Sequence, residues 1–138
     1  EKHMSDRLEQ HVSDLLALNA DITDCQALWG YASVLEKLHQ LKYCTANEAN
    51  ALWQEHWPQY SEYLIDTFDF SEDEVNDVAL DLDDIWTFAG KCCETGIANG
   101  VYQCLLDVVS PLMDKVPDDG DIQRLCHEFS SGVTAAPD

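Results

Sequence analysis

The chain has 138 residues, with 27 Asp and Glu residues against 7 Lys and Arg residues and a formal net charge of −20. A chain this acidic lacks the clustered cations that bind nucleic-acid phosphates, and anionic membranes repel it. Apolar residues nevertheless make up 46% of the sequence and include four tryptophans, so we expect one globular domain and not an acidic disordered tail.

Apolar residues recur at helical spacing along nearly the whole chain, which predicts an all-α fold, an irregular bundle of five to seven helices. In chain order, helices are predicted over 6–19, 22–43, 45–57, 59–68, 71–94, 97–110 and 121–130. Capping boxes beginning at Thr45 and Ser71 mark two of the starts. Pro58 is expected to end or bend the helix before it. In the helix after Pro58, an apolar stripe is formed by Tyr60, Leu64 and Phe68, which are spaced by four. In the helix over 22–43, the apolar stripe comprises Leu28, Tyr31, Leu35 and Leu38. Residues 117–120 are predicted to form a turn.

The sequence also predicts how the chain is organised. Residues 1–3 precede Met4 and are interpreted as a cloning remnant, residues 4–131 as a single helical domain, and residues 132–138 as a flexible tail. No basic, apolar leader follows Met4, so we expect a cytoplasmic protein. Its six cysteines are accordingly predicted to be reduced residues of the core, without disulfides.

Acidic residues are concentrated in one stretch, residues 62–84, which we call the acidic segment. It holds ten Asp and Glu residues and no Lys or Arg. These ten are Glu62, Asp66, Asp69, Glu72, Asp73, Glu74, Asp77, Asp81, Asp83 and Asp84. Like charges one turn apart oppose helix formation, so this pattern favours a role other than helix stability.

A helical wheel of residues 71–94 separates charge from apolar side chains. The apolar face comprises Val75, Val78, Leu82, Ile85, Trp86, Ala89 and Cys93. The narrow acidic face comprises Asp73, Asp77, Asp81 and Asp84. Leu80 falls on the acidic side of the wheel, where we expect it to be exposed and to offer a partner an apolar anchor.

Carboxylates one helical turn apart are separated by about 6 Å along the axis, which is similar to the spacing of phosphates along a DNA strand. The sequence therefore predicts an acidic DNA mimic that binds and inhibits a basic, DNA-binding protein of restriction, CRISPR, repair or nucleoid type. Small acidic phage and plasmid inhibitors act in this general way. The predicted partner-binding residues are Glu62, Asp66, Asp69, Glu72, Asp73, Asp77, Leu80, Asp81 and Asp84.

Other interpretations of the acidic segment stay open. It could be a solubilising face, or the surface of an immunity or antitoxin-type protein that neutralises a basic partner. Residues 81–84 have the form D-x-D-D, and the pairs Glu74/Asp77 and Asp81/Asp84 have the spacing of the acidic pairs with which all-α nucleotide pyrophosphohydrolases hold Mg²⁺. Glu36 and His39 form one of the two Glu-x-x-His motifs that a di-iron bundle needs. We expect a binding protein and not an enzyme, with no catalytic residues, cofactor, metal or direct nucleic-acid binding. A homodimer is an alternative to a monomer.

Overall fold

The computed structural model describes residues 10, 13–14, 17, 22–117 and 119–135, without the side chains of 119 and 132–135. The predicted helix over 6–19 therefore lies largely outside the described residues. Within them the fold is all-α, as predicted, and no strand occurs. The α-helices are α1 Asp24–Gln40, α2 Ala46–Phe68, α3 Glu72–Asn76, α4 Ile85–Thr95, α5 Ala98–Leu112 and α6 Asp119–Ala135. Short 3-10 helices, Leu82–Asp84 and Met113–Lys115, precede α4 and follow α5.

Helix α1 forms the centre of the bundle and packs on α5 and α6. Its predicted apolar stripe is confirmed, since Leu28, Leu35 and Leu38 are fully buried. The helix backbones approach closely at Gly30, where a Cβ atom would come within 2.5 Å of the Phe129 ring on α6. A larger side chain at position 30 would therefore force α1 away from α6.

Helix α2 runs without interruption through Pro58, so the predicted end at Trp57 is wrong. Proline removes one backbone donor from a helix, but tertiary packing can stabilise the helix despite that loss. Here Trp57 and Leu64 bury the face of α2 on both sides of Pro58, and the Ser61 hydroxyl donates to the Pro58 carbonyl at 3.0 Å. Leu64 also fills the space left by Gly100 on α5, where a Cβ atom would lie 2.7 Å from it.

The C-terminal helix is longer than the sequence indicates. Helix α6 begins at Asp119, inside the predicted 117–120 turn, and extends to Ala135, which is inside the predicted flexible tail. Residues 136–138 lie outside the described residues.

A disulfide joins Cys25, in the first turn of α1, to Cys93 near the end of α4. The expectation that the chain contains no disulfide is therefore wrong. The two Cα atoms lie 5.5 Å apart where the helices meet, within the range that a disulfide spans. The partners are 68 residues apart in sequence, so no local spacing pattern reveals the pair.

The other four cysteines are free and buried, as the sequence predicts for core thiols. Burial, with a smaller contribution from Glu48, raises the pKa of Cys44 to about 11. Burial also raises the pKa of Cys126 to about 11 and that of Cys92 to about 12. Burial, followed by the charge of Asp107, raises the pKa of Cys104 as well. These thiols are protonated at neutral pH and pack as small apolar side chains.

Reduction of the Cys25–Cys93 disulfide is expected to lower the free energy of unfolding by about 4 kcal/mol, because the bond closes a long loop in the unfolded chain. Urea unfolding followed by tryptophan fluorescence, with and without a thiol reductant, measures this loss. The Cys25→Ser/Cys93→Ser variant is the control, and its unfolding midpoint should be low and insensitive to reductant. A wild-type midpoint that is the same in both conditions would contradict the assignment.

Candidate functional site

The predicted helix over 71–94 is not continuous. The Ser71 capping box forms as predicted, and its hydroxyl accepts from the Glu74 N–H at 3.2 Å. However, α3 ends at Asn76, an irregular stretch follows, and α4 begins only at Ile85. The single acidic helix face of Asp73, Asp77, Asp81 and Asp84 therefore does not exist, and that prediction is wrong.

Two tryptophans of α2 explain the break. The Trp57 Nε1–H group donates to the Val75 carbonyl at 2.7 Å, and the Trp53 Nε1–H group donates to the Val78 carbonyl at 3.3 Å. In a continuous helix these carbonyls would accept from the backbone N–H groups of residues 79 and 82. The indole donors take the place of those helical bonds. They hold the end of α3 and the following turn against α2.

The two indoles are themselves fixed in the core. Trp53 and Trp57 stack with ring centroids 4.7 Å apart, and Phe88 of α4 packs its edge against Trp53 at 5.6 Å. Both tryptophans are buried, with 2% and 5% of their surface exposed. The packing of the rings therefore fixes the positions of the Nε1–H groups that donate to the Val75 and Val78 carbonyls.

Leu80 is buried, and its prediction as an exposed partner anchor is wrong. Only 4% of its surface is exposed. The next residue, Asp81, is extended, with φ −117° and ψ 95°, so Leu80 and Leu82 point to the same side of the chain. Both enter the core, which a helix could not achieve, because residues two apart on a helix diverge.

All ten carboxylates of the acidic segment are exposed. Glu62 and Asp66 lie on α2, Asp69 caps it, and the remainder lie along α3, the irregular stretch and the 3-10 helix at 82–84. Among the described residues, salt bridges join Lys37 to Glu128, Lys115 to Glu48, Arg124 to Asp121 and His56 to Glu55. No salt bridge in the described part of the chain reaches the acidic segment. The structure therefore places every predicted partner-binding residue except Leu80 at the surface.

Two of the ten carboxylates also hold local structure. The Glu74 carboxylate accepts from the Ser71 N–H at 2.8 Å, and this backbone bond and the Ser71 hydroxyl lower its pKa. The Asp81 carboxylate accepts from the Asp84 N–H at 3.3 Å and caps the 3-10 helix. The others make no side-chain hydrogen bond to any residue that the structure describes, which leaves them available to a partner.

A cleft of about 390 Å³ lies beside the acidic segment. Glu74 and Asp77 line one side of it, and Lys91, Thr95 and Phe88 of α4 line the other. Lys91 is exposed and brings one positive charge to the border of the acidic segment. The acidic surface is thus bounded at α4.

An exposed aromatic pair lies within the acidic segment. Tyr63 and Phe68 of α2 pack edge to face, with ring centroids 5.7 Å apart, and their exposed fractions are 36% and 48%. The assignment of Phe68 to an apolar stripe with Tyr60 and Leu64 is therefore wrong, because Phe68 lies at the surface, and the spacing of the stripe gave no sign of Tyr63. Helix α2 extends four residues beyond Leu64, which is its last buried residue. The signal in the sequence was the position of Phe68 at the end of the helix, between Asp66 and Asp69.

Comparison with protein-family models, curated proteins and solved structures found no match for this chain. Among the residues that the structure describes, no three His, Cys, Asp or Glu side chains are placed to hold one metal ion together. None of the helices in the described ranges is long and apolar enough to cross a membrane.

Replacement of Trp57 by Phe is expected to keep the stacked ring and remove the donor to the Val75 carbonyl. Loss of this buried bond should cost about 1 kcal/mol in the free energy of unfolding, because the Val75 carbonyl then keeps only the longer bond from the Val78 N–H group at 3.4 Å. Amide hydrogen exchange over residues 75–85 should also quicken. Trp86→Phe is the matched control: its Nε1–H group donates to Glu36 at an exposed site, so it should cost less than about 0.5 kcal/mol. Equal losses in the two variants would contradict the role given to the indole bond.

Proposed function

We propose that this protein binds a basic, DNA-binding protein and inhibits it by covering its phosphate-binding surface with the acidic segment. The observation that supports this proposal is the exposure of all ten carboxylates of residues 62–84, with no Lys or Arg bonded to any of them in the described structure. A basic partner would supply the missing counter-charges and release condensed ions from its own surface.

The scaffold beneath the carboxylates favours binding over mere solubility. Val75, Leu80, Leu82 and Ile85 are buried, and they lie between or beside the exposed acids along the chain. A segment anchored at these points loses little conformational freedom when a partner binds, so more of the electrostatic attraction contributes to affinity. A solubilising surface gains nothing from such anchoring.

The form of mimicry differs from the straight row that the sequence predicted. Glu62 and Asp66 keep the spacing of one helical turn, about 6 Å along the axis of α2, but Asp73, Asp77, Asp81 and Asp84 no longer share one helix. The other carboxylates follow the chain through α3, the irregular stretch and the 3-10 helix. We therefore propose that the protein competes with DNA through the density of its charge and not through a regular phosphate-like repeat.

A second candidate function is neutralisation of a basic toxin by an immunity or antitoxin-type protein. The exposed pair of Tyr63 and Phe68 favours this candidate, since an apolar contact within a charged rim is typical of protein–protein interfaces. Both candidates predict fast association that weakens with salt. They differ in whether DNA occupies the same surface of the partner.

We propose a binding role and not a catalytic role for Asp81, Asp83 and Asp84. Asp81 caps the 3-10 helix through its side chain, so one acid of the D-x-D-D pattern is engaged in local structure.

The proposed targets are cytoplasmic, where disulfides are rare. Binding should accordingly be measured with Cys25–Cys93 both oxidised and reduced.

Removal of three carboxylates in the variant Glu62→Gln/Asp66→Asn/Asp73→Asn is expected to weaken partner binding about tenfold at low salt. None of these three side chains caps a helix or pairs within the described structure, so the fold should be unaffected. The partner is captured on immobilised protein from the source cell, identified by mass spectrometry, and titrated at several salt concentrations. The dependence of affinity on salt should also become shallower.

The matched control is Asp24→Asn/Glu55→Gln/Glu94→Gln, which removes the same number of exposed charges outside the acidic segment. Its affinity should stay close to that of the wild type. If both variants lose affinity equally, the net charge of the whole chain governs binding, and the acidic segment is not the interface.

A further inference from the structure

We propose that Tyr63 and Phe68 form a contact point for an arginine side chain of the partner, with Glu62, Asp66 and Asp69 as its counter-charges. This inference rests on the proposed function, because it names the partner chemistry that the acidic segment recognises. Its components are an exposed aromatic pair and a set of unpaired carboxylates beside it.

The aromatic pair is unusual among the large apolar side chains of the described structure. Four of these are exposed, at Leu41, Tyr63, Phe68 and Trp86. Trp86 stacks on Trp29 and donates its Nε1–H group to Glu36. Tyr63 and Phe68 instead contact each other and present apolar surface at the N-terminal end of the acidic segment. A contiguous apolar patch of this kind marks an interaction site more strongly than a single exposed side chain does.

The backbone explains why Phe68 stays outside. Asp69 adopts the left-handed conformation, with φ 64° and ψ 31°, and its N–H group donates to the Ile65 carbonyl at 3.2 Å. The chain therefore turns immediately after Phe68. Phe70 then packs against the core, near Gly96, whereas Phe68 remains at the surface.

The carboxylates lie next to the pair along the same helix end. Glu62 precedes Tyr63, Asp66 is three residues beyond Tyr63 and thus a neighbour on the helix surface, and Asp69 follows Phe68. All three are exposed. A purely apolar partner is disfavoured here, because it would take these charges out of water without pairing them.

A guanidinium group fits this combination better than an ammonium group does. It is planar and weakly hydrated, so it stacks on an aromatic face while its N–H groups donate to carboxylates at its edge. A lysine ammonium is a compact, strongly hydrated point charge that gains less from the rings. The surface should therefore discriminate between two partners of equal charge according to their arginine content.

Binding of two peptide probes, deca-arginine and deca-lysine, tests this discrimination at one salt concentration by calorimetry or fluorescence anisotropy. The wild type should bind deca-arginine more tightly than deca-lysine. Phe68→Leu keeps an apolar side chain but removes the aromatic face, and it should lower the ratio of the two affinities about two- to fivefold. Phe68→Tyr should preserve the ratio. Leu41→Ala, at another exposed apolar site outside the acidic segment, should leave both affinities unchanged.

The outcomes separate this inference from the proposed function. A wild type that binds neither probe overturns both. Binding that depends on the carboxylates but whose arginine preference survives Phe68→Leu overturns only the aromatic contact point. If Phe68→Leu lowers the affinity for both probes equally, the aromatic contact point is also overturned, because Phe68 then contributes only general apolar contact. Phe68 is half exposed, so unchanged thermal unfolding should confirm that the variant is folded.

Discussion

Two indole N–H groups determine where the charge of this protein is displayed. Trp57 and Trp53 donate to the carbonyls of Val75 and Val78, and those acceptors would otherwise continue a helix. A carbonyl that accepts from an indole N–H group no longer needs the backbone N–H group four residues later. The chain can therefore leave the helix after Asn76 with little loss of hydrogen-bond free energy. The acidic segment is therefore divided between two α-helices, an irregular stretch and a 3-10 helix, because indole N–H groups replace backbone N–H groups as donors.

The break also resolves a conflict within the sequence. A continuous helix over 71–94 would bury its apolar face but leave Leu80 among carboxylates, and it would align like charges one turn apart. Once the helix ends, Leu80 and Leu82 both reach the core, and the acids spread over three elements. The carboxylates are then no longer aligned one turn apart along a single helix, while the buried side chains still hold the segment to α2. The surface keeps its charge without depending on helix stability.

Local signals in the sequence predicted much of this fold. The Thr45 and Ser71 capping boxes and the α1 stripe were identified because each depends on residues within one or two turns. The exposure of the ten acids was also foreseeable from their density. Pro58 does not end α2 as predicted, because buried side chains on both sides stabilise the helix across the missing bond.

The remaining features depend on contacts between residues far apart in sequence. The indole bonds connect residues 18 and 25 positions apart, and the disulfide spans 68. A helical wheel assumes one unbroken helix, so it could not anticipate that Leu80 turns inward. It also placed Trp86 on the apolar face, whereas 37% of its surface is exposed. The exposed pair of Tyr63 and Phe68 could not be predicted, because the sequence does not show that the buried face of α2 ends at Leu64.

The central claim, that the acidic segment occupies the DNA-binding surface of its partner, is tested most directly by a competition titration. The captured partner is first saturated with a fluorescently labelled DNA duplex, and the protein is then added while anisotropy is followed. The account predicts that anisotropy falls to the value of free DNA, with a midpoint that rises in proportion to the DNA concentration. A rise in anisotropy, which would show DNA and this protein bound to the partner together, would contradict it.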